Sequence, residues 1–237
     1  MGRHADSLGN RETFSAPGMQ WCSVGSGIEH AEAGGTPAGQ NTTGFQLWIN
    51  VPKGRKMDDP RYGTVPSEAM PVLTLPGGVV ARVLAGPLGD VTGPFETVQA
   101  VSMVHYDLPP GASVTHTVGP TLDNAMVFSF RGGVEVAGAA SGIGENQVGR
   151  FDASDAAVRD VTLTAGAAGA GVLLFAGKML KEPISWHGPV VMNTREEVEK
   201  AFQEMRRGAF PPVRVPWDYR RLAAFPADHP ARKELSA

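Results

Sequence analysis

Residues Gly18 to Glu32 read GMQWCSVGSGIEHAE, and the last three, His30-Ala31-Glu32, set the reading of the rest. Successive side chains of a strand point to opposite faces. An extended backbone here therefore projects His30 and Glu32 together, while Ala31 and Glu29 turn away. An imidazole and a carboxylate side by side are two of the ligands that a first-row ion such as Fe(II) accepts. A pair is not a site, however, and spacing alone fits a metal-free surface or core pair more often than a ligand pair.

Outward from this stretch the chain alternates. In Phe45 to Val51, FQLWINV, the residues Phe45, Leu47, Ile49 and Val51 form one apolar face, and Gln46, Trp48 and Asn50 the other, which predicts a strand. Ala125 to Val136 reads as two short strands joined by a Gly132-Gly133 hairpin turn. Val79–Leu84, Val98–Leu108, Val161–Leu163 and Gly171–Phe175 are further strand candidates, and Pro109-Pro110-Gly111 is a turn. Ala137 to Ala170, rich in Ala, Gly and Ser, reads as a loop-heavy stretch. Gly and Pro together make up 49 of 237 residues, about a fifth, which suits many turns between short strands. The pattern predicts an all-β fold of antiparallel sheets.

One helix stands out near the C-terminus. Thr194-Arg195-Glu196-Glu197 fits a capping box, Val198, Ala201, Phe202 and Met205 follow at helical spacing, and Gly208 supplies the stop. Lys53 to Pro71 is polar, proline-punctuated and without period, so it reads as a linker between a first unit near 1–55 and a second near 72–183.

Bulk properties exclude several classes. A formal charge of −3 and a pI near 6.1 argue against a polyanion-binding protein. Residues 206–237 hold seven Lys/Arg against three Asp/Glu, an excess too small and spread out for a nucleic-acid arm. No run of 18 apolar residues occurs, so no membrane span is expected. The polar start MGRHADSLGNRE has no secretory pattern and Cys22 is the one cysteine, which together predict a reducing, cytoplasmic setting. Cys22 has no adjacent base and no Ser/His/Asp ordering suggests a hydrolase, so no catalytic residue is assigned.

QWCSVGSGIEHAE followed by GFQLWINVP resembles the pirin family, whose members carry a similar QWMTAGxGIxHxE stretch before a GLQLWxNLP strand. His4-Ala5-Asp6-Ser7-Leu8-Gly9-Asn10 resembles that family's HxDSLGN turn. Lys56-Met57-Asp58-Asp59-Pro60-Arg61-Tyr62 resembles its post-domain segment, and residues 182–193, EPISWHGPVVMN, its EPIxxHGPFVMNT signature. The resemblance runs from about residue 4 to 210. It implies a bicupin of two antiparallel jelly-roll domains, the first one incomplete, plus a C-terminal helix. The boundaries would be 1–55 for the partial first cupin, 56–71 for the linker and 72–183 for the second cupin. Residues 184–210 would form a signature turn and helix packing back on the first domain, with 211–237 a tail.

The family's first domain binds one iron through three histidines and a glutamate. His30 and Glu32 match two of these positions; the other two histidines belong to a His-Pro-His stretch that this sequence, beginning at the HxDSLGN turn, lacks. The expectation is a shortened pirin with an impaired Fe(II) site. His4 lies in the turn motif, which is not a ligand position in the family. His105, His116, His187 and His229 offer no replacement by the same reading, and the second cupin is expected to be metal-free. Trp21 and Trp48 could line a flavonoid-sized pocket, although core packing is the commoner role for such residues. If the protein is an enzyme, the resemblance makes it a metal-dependent quercetin 2,3-dioxygenase-type oxidoreductase acting on a flavonoid-like small molecule. The alternatives are a non-catalytic coregulator-like protein that binds a transcription-factor partner, cytoplasmic or nuclear, and a shortened product with no stable function.

Overall fold

A computed structural model describes residues 2–14, 17–34, 44–155 and 159–216. The described residues are almost entirely antiparallel strand and turn with one α-helix, which is the all-β class expected from the alternation. They divide into two units. One comprises the residues up to Ser67 together with those from Leu180 onward, and the other spans Glu68–Met179.

In the first unit, β1 (Gly2–Asp6), β2 (Arg11–Phe14) and β4 (His30–Gly34) form a sheet in the order β2-β1-β4, while β3 (Met19–Ser23) pairs with β5 (Arg61–Val65). The HADSLGN turn closes the β1–β2 hairpin through Asp6. Its N–H donates to Asn10 O (3.1 Å), and its Oδ1 accepts from the N–H of Leu8 (2.9 Å) and of Asn10 (3.1 Å). Asp is suited to this because its short carboxylate can bond the backbone two and four residues on. Buried Ser7 then ties the turn to the start of β4. Its N–H donates to Glu29 O (2.8 Å) and its Oγ accepts from Glu29 N–H (3.2 Å).

Two expectations for this unit need correction. Residues 56–71 are not a linker throughout, because Arg61–Val65 is the strand β5, laddered to Met19–Ser23. A polar segment conceals a strand when its side chains serve a site rather than a core. Phe45–Val51 takes no strand pairing among the described residues, and Phe45, Leu47, Trp48 and Ile49 are exposed. Alternation marks which side chains share a face, but a strand forms only where a neighbour completes the hydrogen-bond ladder. The segment is instead pinned at its end by buried Lys56, whose Nζ donates to Asn50 Oδ1 (2.7 Å) and Val191 O (3.2 Å).

The second unit contains β6 (Val72–Thr74), β7 (Val80–Leu88), β8 (Val91–Pro94), β9 (Val101–Leu108), β10 (Ser113–Thr117), β11 (Asn124–Arg131), β12 (Val134–Val136), β13 (Gln147–Asp152), β14 (Asp160–Ala165) and β15 (Ala170–Gly177). A seven-stranded sheet runs β13-β11-β15-β9-β7-β6 with β8 on β7, and a three-stranded sheet runs β10-β14-β12. Both contribute to one core that includes Val104, Tyr106, Val127, Leu163, Val172 and Leu174. The predicted β11–β12 hairpin does not form. β11 pairs with β13 and β15, and β12 pairs with β14 in the other sheet. Gly132 turns the chain between sheets at φ +63, where a Cβ would stand 2.2 Å from Gly169 O, so only glycine fits.

Back in the first unit, β16 (Ser185–His187) and β17 (Val190–Met192) form a hairpin before α1 (Arg195–Arg206). The capping box is present as read: Thr194 Oγ1 accepts from Glu197 N–H (3.2 Å), and Glu197 Oε2 accepts from Thr194 N–H (2.9 Å). Val198 is buried, and Phe202 meets the His187 ring edge-on at 5.3 Å, which gives His187 a packing role. The expected tail is described only to residue 216; the remainder, His229 included, lies outside the described residues. No helix among the described residues is long and apolar enough to cross a membrane.

Candidate metal centre

β1 and β4 run antiparallel with His4 opposite Glu32 and Asp6 opposite His30. Directly paired residues share a face and so do residues two apart, so His4, Asp6, His30 and Glu32 all project to one side of the ribbon. On that side Glu32 Oε1 lies 3.7 Å from His30 Nδ1 and 3.8 Å from His4 Nδ1. His4, His30 and Glu32 each offer a donor atom within 4.8 Å of the others, and no second such group occurs among the described residues. The floor of the cluster is dry and its mouth wet: the His4 side chain is 0 % exposed, while His30 and Glu32 are 39 % and 41 % exposed.

Two further strands shape the surroundings. Gln20 on β3 donates from Nε2 to Glu32 Oε1 and accepts from Tyr62 Oη on β5 (3.1 Å). Tyr62 stacks flat on His4, with centroids 4.0 Å apart and planes inclined by 8°. Gln20 therefore steers the carboxylate and Tyr62 fixes the plane of the imidazole.

The electrostatics keep the acids ionised. Glu32 is held below the ordinary carboxylate range chiefly by the His4 ring, against a smaller desolvation cost, with His30 and Gln20 adding to the effect. For Asp6, burial pushes upward most strongly, but the hydrogen bonds from His4 and Asn10 outweigh it and leave its pKa lowered. Burial likewise opposes charge on His4, yet Asp6 and Glu32 together raise its pKa above the usual value. At 3.8 Å the Glu32 oxygen is beyond hydrogen-bond length from His4 Nδ1, so it acts there as a charge.

The residues fit a divalent ion. Two donors bound to one ion at about 2.1 Å each stand no more than about 4.2 Å apart, and both Glu32 separations fall inside that limit. Two imidazoles and a carboxylate are also the donor set that suits Fe(II) and its first-row neighbours. His4 Nδ1 is buried with no hydrogen-bond partner, an atom that protein interiors rarely leave unsatisfied.

The His30–Glu32 pair occupies the geometry its spacing suggested. The sequence motif leaves His4 outside the ligand positions, whereas the structure places it beside His30 and Glu32; the signal for this is His4-Ala5-Asp6, a second i, i+2 polar pair on a strand. Trp21 and Trp48 are not brought together here. Gln20 faces Glu32, so its neighbour Trp21 turns to the other side of β3, where Arg61 lies 5.9 Å over its ring. Trp48 is exposed, and its ring neighbour is Trp186 at 5.9 Å. In the second unit His116 is buried and bonded to Tyr106 Oη through Nδ1 (2.8 Å), and His105 lies beside Asp107 and Arg82.

Comparison with known proteins agrees in sequence and in shape. The family described as Pirin matches residues 2–49, and the Pirin C-terminal cupin domain matches residues 103–211. A pirin-like protein of Caulobacter vibrioides is 36 % identical over 88 % of this chain and 73 % of its own length. A quercetin 2,3-dioxygenase of Acinetobacter baumannii superposes with a TM-score of 0.74 at 25 % identity, covering 89 % of this chain and 72 % of that one. A bacterial pirin of Escherichia coli, solved in complex with nickel(II), shares the fold at a TM-score of 0.52 and 19 % identity, over 75 % of this chain and 69 % of that one. With HADSLGN, QWCSVGSGIEHAE and EPISWHGPVVMN in order on a two-unit antiparallel β fold, the chain belongs to the pirin family.

Proposed function

We propose that the protein is a metal-dependent oxidoreductase of the quercetin 2,3-dioxygenase type, with Fe(II) or a related first-row ion held by His30 and Glu32. One observation supports this above the others: a carboxylate and an imidazole, 3.7 Å apart, converge on the same side of β4 beside a buried third ring. The likeness to the Acinetobacter enzyme supports the substrate class, a flavonol with adjacent hydroxyl and carbonyl oxygens.

When bound, the ion would supply a Lewis-acidic point on which a flavonol oxygen and O2 can be gathered. The protein's own contributions are positional. Glu32 stays ionised and so remains a ligand at neutral pH, and Gln20 holds the carboxylate in orientation through its amide. Tyr62 and buried His4 close the inner side, which leaves the exposed side, between His30 and Glu32, for substrate to approach.

The test is to load the protein anaerobically with Fe(II) and quercetin and then admit O2. Ring cleavage, read as loss of the flavonol's visible absorbance with matching O2 uptake, supports the reading. Absence of turnover under conditions where a pirin relative cleaves quercetin would reject it.

A further inference from the structure

His4 is tied on one side and open on the other. Its Nε2 lies 2.8 Å from Asp6 Oδ2. Asp6 also accepts from Leu8 N–H (2.9 Å), from Asn10 N–H (3.1 Å), and from Asn10 Nδ2 through both oxygens (3.0 and 2.8 Å). A carboxylate held by that many donors is an acceptor only, so the proton between it and His4 belongs to Nε2. In the neutral ring the lone pair is then on Nδ1. That atom is fully buried, has no hydrogen-bond partner and faces Glu32 Oε1 at 3.8 Å. The space they share, with His30 Nδ1 3.7 Å from the same oxygen, brings a carboxylate and two ring nitrogens together, and a cation there would give the orphaned His4 Nδ1 the partner it lacks.

We infer that His4 is a third protein ligand of the centre, bound through Nδ1, and that Asp6 is the positioning residue that fixes its tautomer and ring orientation. The inference rests on the metal reading above and goes beyond it, since the family resemblance places His4 outside the ligand set. It extends the His30–Glu32 pair to a set of two imidazoles and one carboxylate with coordination positions left open on the exposed side. Asp6 plays the part of the carboxylate that commonly backs a ligating histidine. The HADSLGN turn acquires a function by the same argument: its backbone amides hold Asp6, and Asp6 holds His4.

The test uses the full chain with Cu(II) alone as a probe, counting coordinated imidazoles by pulsed EPR. Two imidazoles are expected in the wild type and one each in His4→Gln and His30→Gln. Asp6→Asn should keep two while lowering affinity by about 10- to 100-fold, measured against a chromophoric chelator. The wild-type count needs no substitution, so it stands even if His4→Gln fails to fold. A second readout is the 15N shift of His4 on adding Zn(II), expected at Nδ1 and not at Nε2. One imidazole in the wild type, or a His4 Nδ1 resonance unmoved by Zn(II), overturns the inference while leaving a His30–Glu32 ion in place. No bound ion at all overturns the metal reading, and this inference with it.

Discussion

His4 and Glu32 face each other across the β1–β4 ladder, paired in register, with an imidazole nitrogen 3.8 Å from a carboxylate oxygen and no hydrogen bond between them. One strand opens the chain and the other lies 24 or more residues later, so neither residue reveals the other in sequence. The relationship explains how two strands distant in sequence gather three donors. Antiparallel pairing supplies what local spacing alone could not.

Glu32→Gln is expected to weaken divalent-metal binding at least about tenfold, a loss of about 1.4 kcal/mol or more, because a charged oxygen donor is replaced by a neutral amide. Glu32 is part-exposed, so folding stability should move by no more than about 0.5 kcal/mol. Isothermal titration with Ni(II), set beside a thermal melt, separates the two effects. Equal affinity in the variant would remove Glu32 from the centre.

The turn between β3 and β4 should be intolerant of a side chain. Gly25 sits at φ +51, and a Cβ there would lie 2.1 Å from Asp58 O, the same carbonyl that accepts from Ser26 N–H at 2.9 Å. Gly25→Ala is therefore expected to cost about 2 kcal/mol or more from the left-handed backbone and the clash together. Metal affinity should fall alongside, since this turn delivers His30. A melt and a titration on the same sample check both.

What was legible in the sequence, and what was not, follows from the range of the interactions. The placement of His30 and Glu32 on one face depends only on strand pleat, and the Thr194–Glu197 box depends only on one helical turn; both were readable. The His4 contribution depends on a cross-strand register, and β5 on a partner strand some 40 residues away, so neither was. Phe45–Val51 shows the converse error: its alternation satisfied the strand pattern, but no described strand completes its ladder. Gly132-Gly133 reads as a hairpin turn in either case, and only long-range pairing decides that it passes the chain to another sheet.

The second unit should weaken in acid. His116 is buried among neutral partners, Tyr106 Oη at 2.8 Å and Ser102 Oγ at 3.5 Å, and burial lowers its pKa from 6.5 to about 4. Between these values the unfolded chain binds the proton and the folded one does not, so stability is fully present above pH 6.5 and is lost as pH falls toward 4. The loss from this residue should approach about 3 kcal/mol. Urea unfolding at pH 7, 5.5 and 4.5 measures the slope, and His116→Asn should flatten it. An unchanged slope in that variant would assign the acid sensitivity to other groups.

Thr194→Ala should free the first turn of α1. Losing the side-chain half of the capping box is expected to cost about 1 kcal/mol, expressed locally. Amide exchange in Glu196–Val198 should accelerate about fivefold, while the strands of the second unit keep their protection. Uniform acceleration across both units would contradict a local role.

The central claim is that one divalent ion is held where β1 and β4 meet. Equilibrium dialysis of the full chain against Fe(II) under argon, with metal counted per chain, tests it most directly. One ion per wild-type chain is predicted, and nearly none in the His30→Gln/Glu32→Gln double variant that still melts cooperatively. No stoichiometric iron in the wild type, or the same iron content in the double variant, would contradict it.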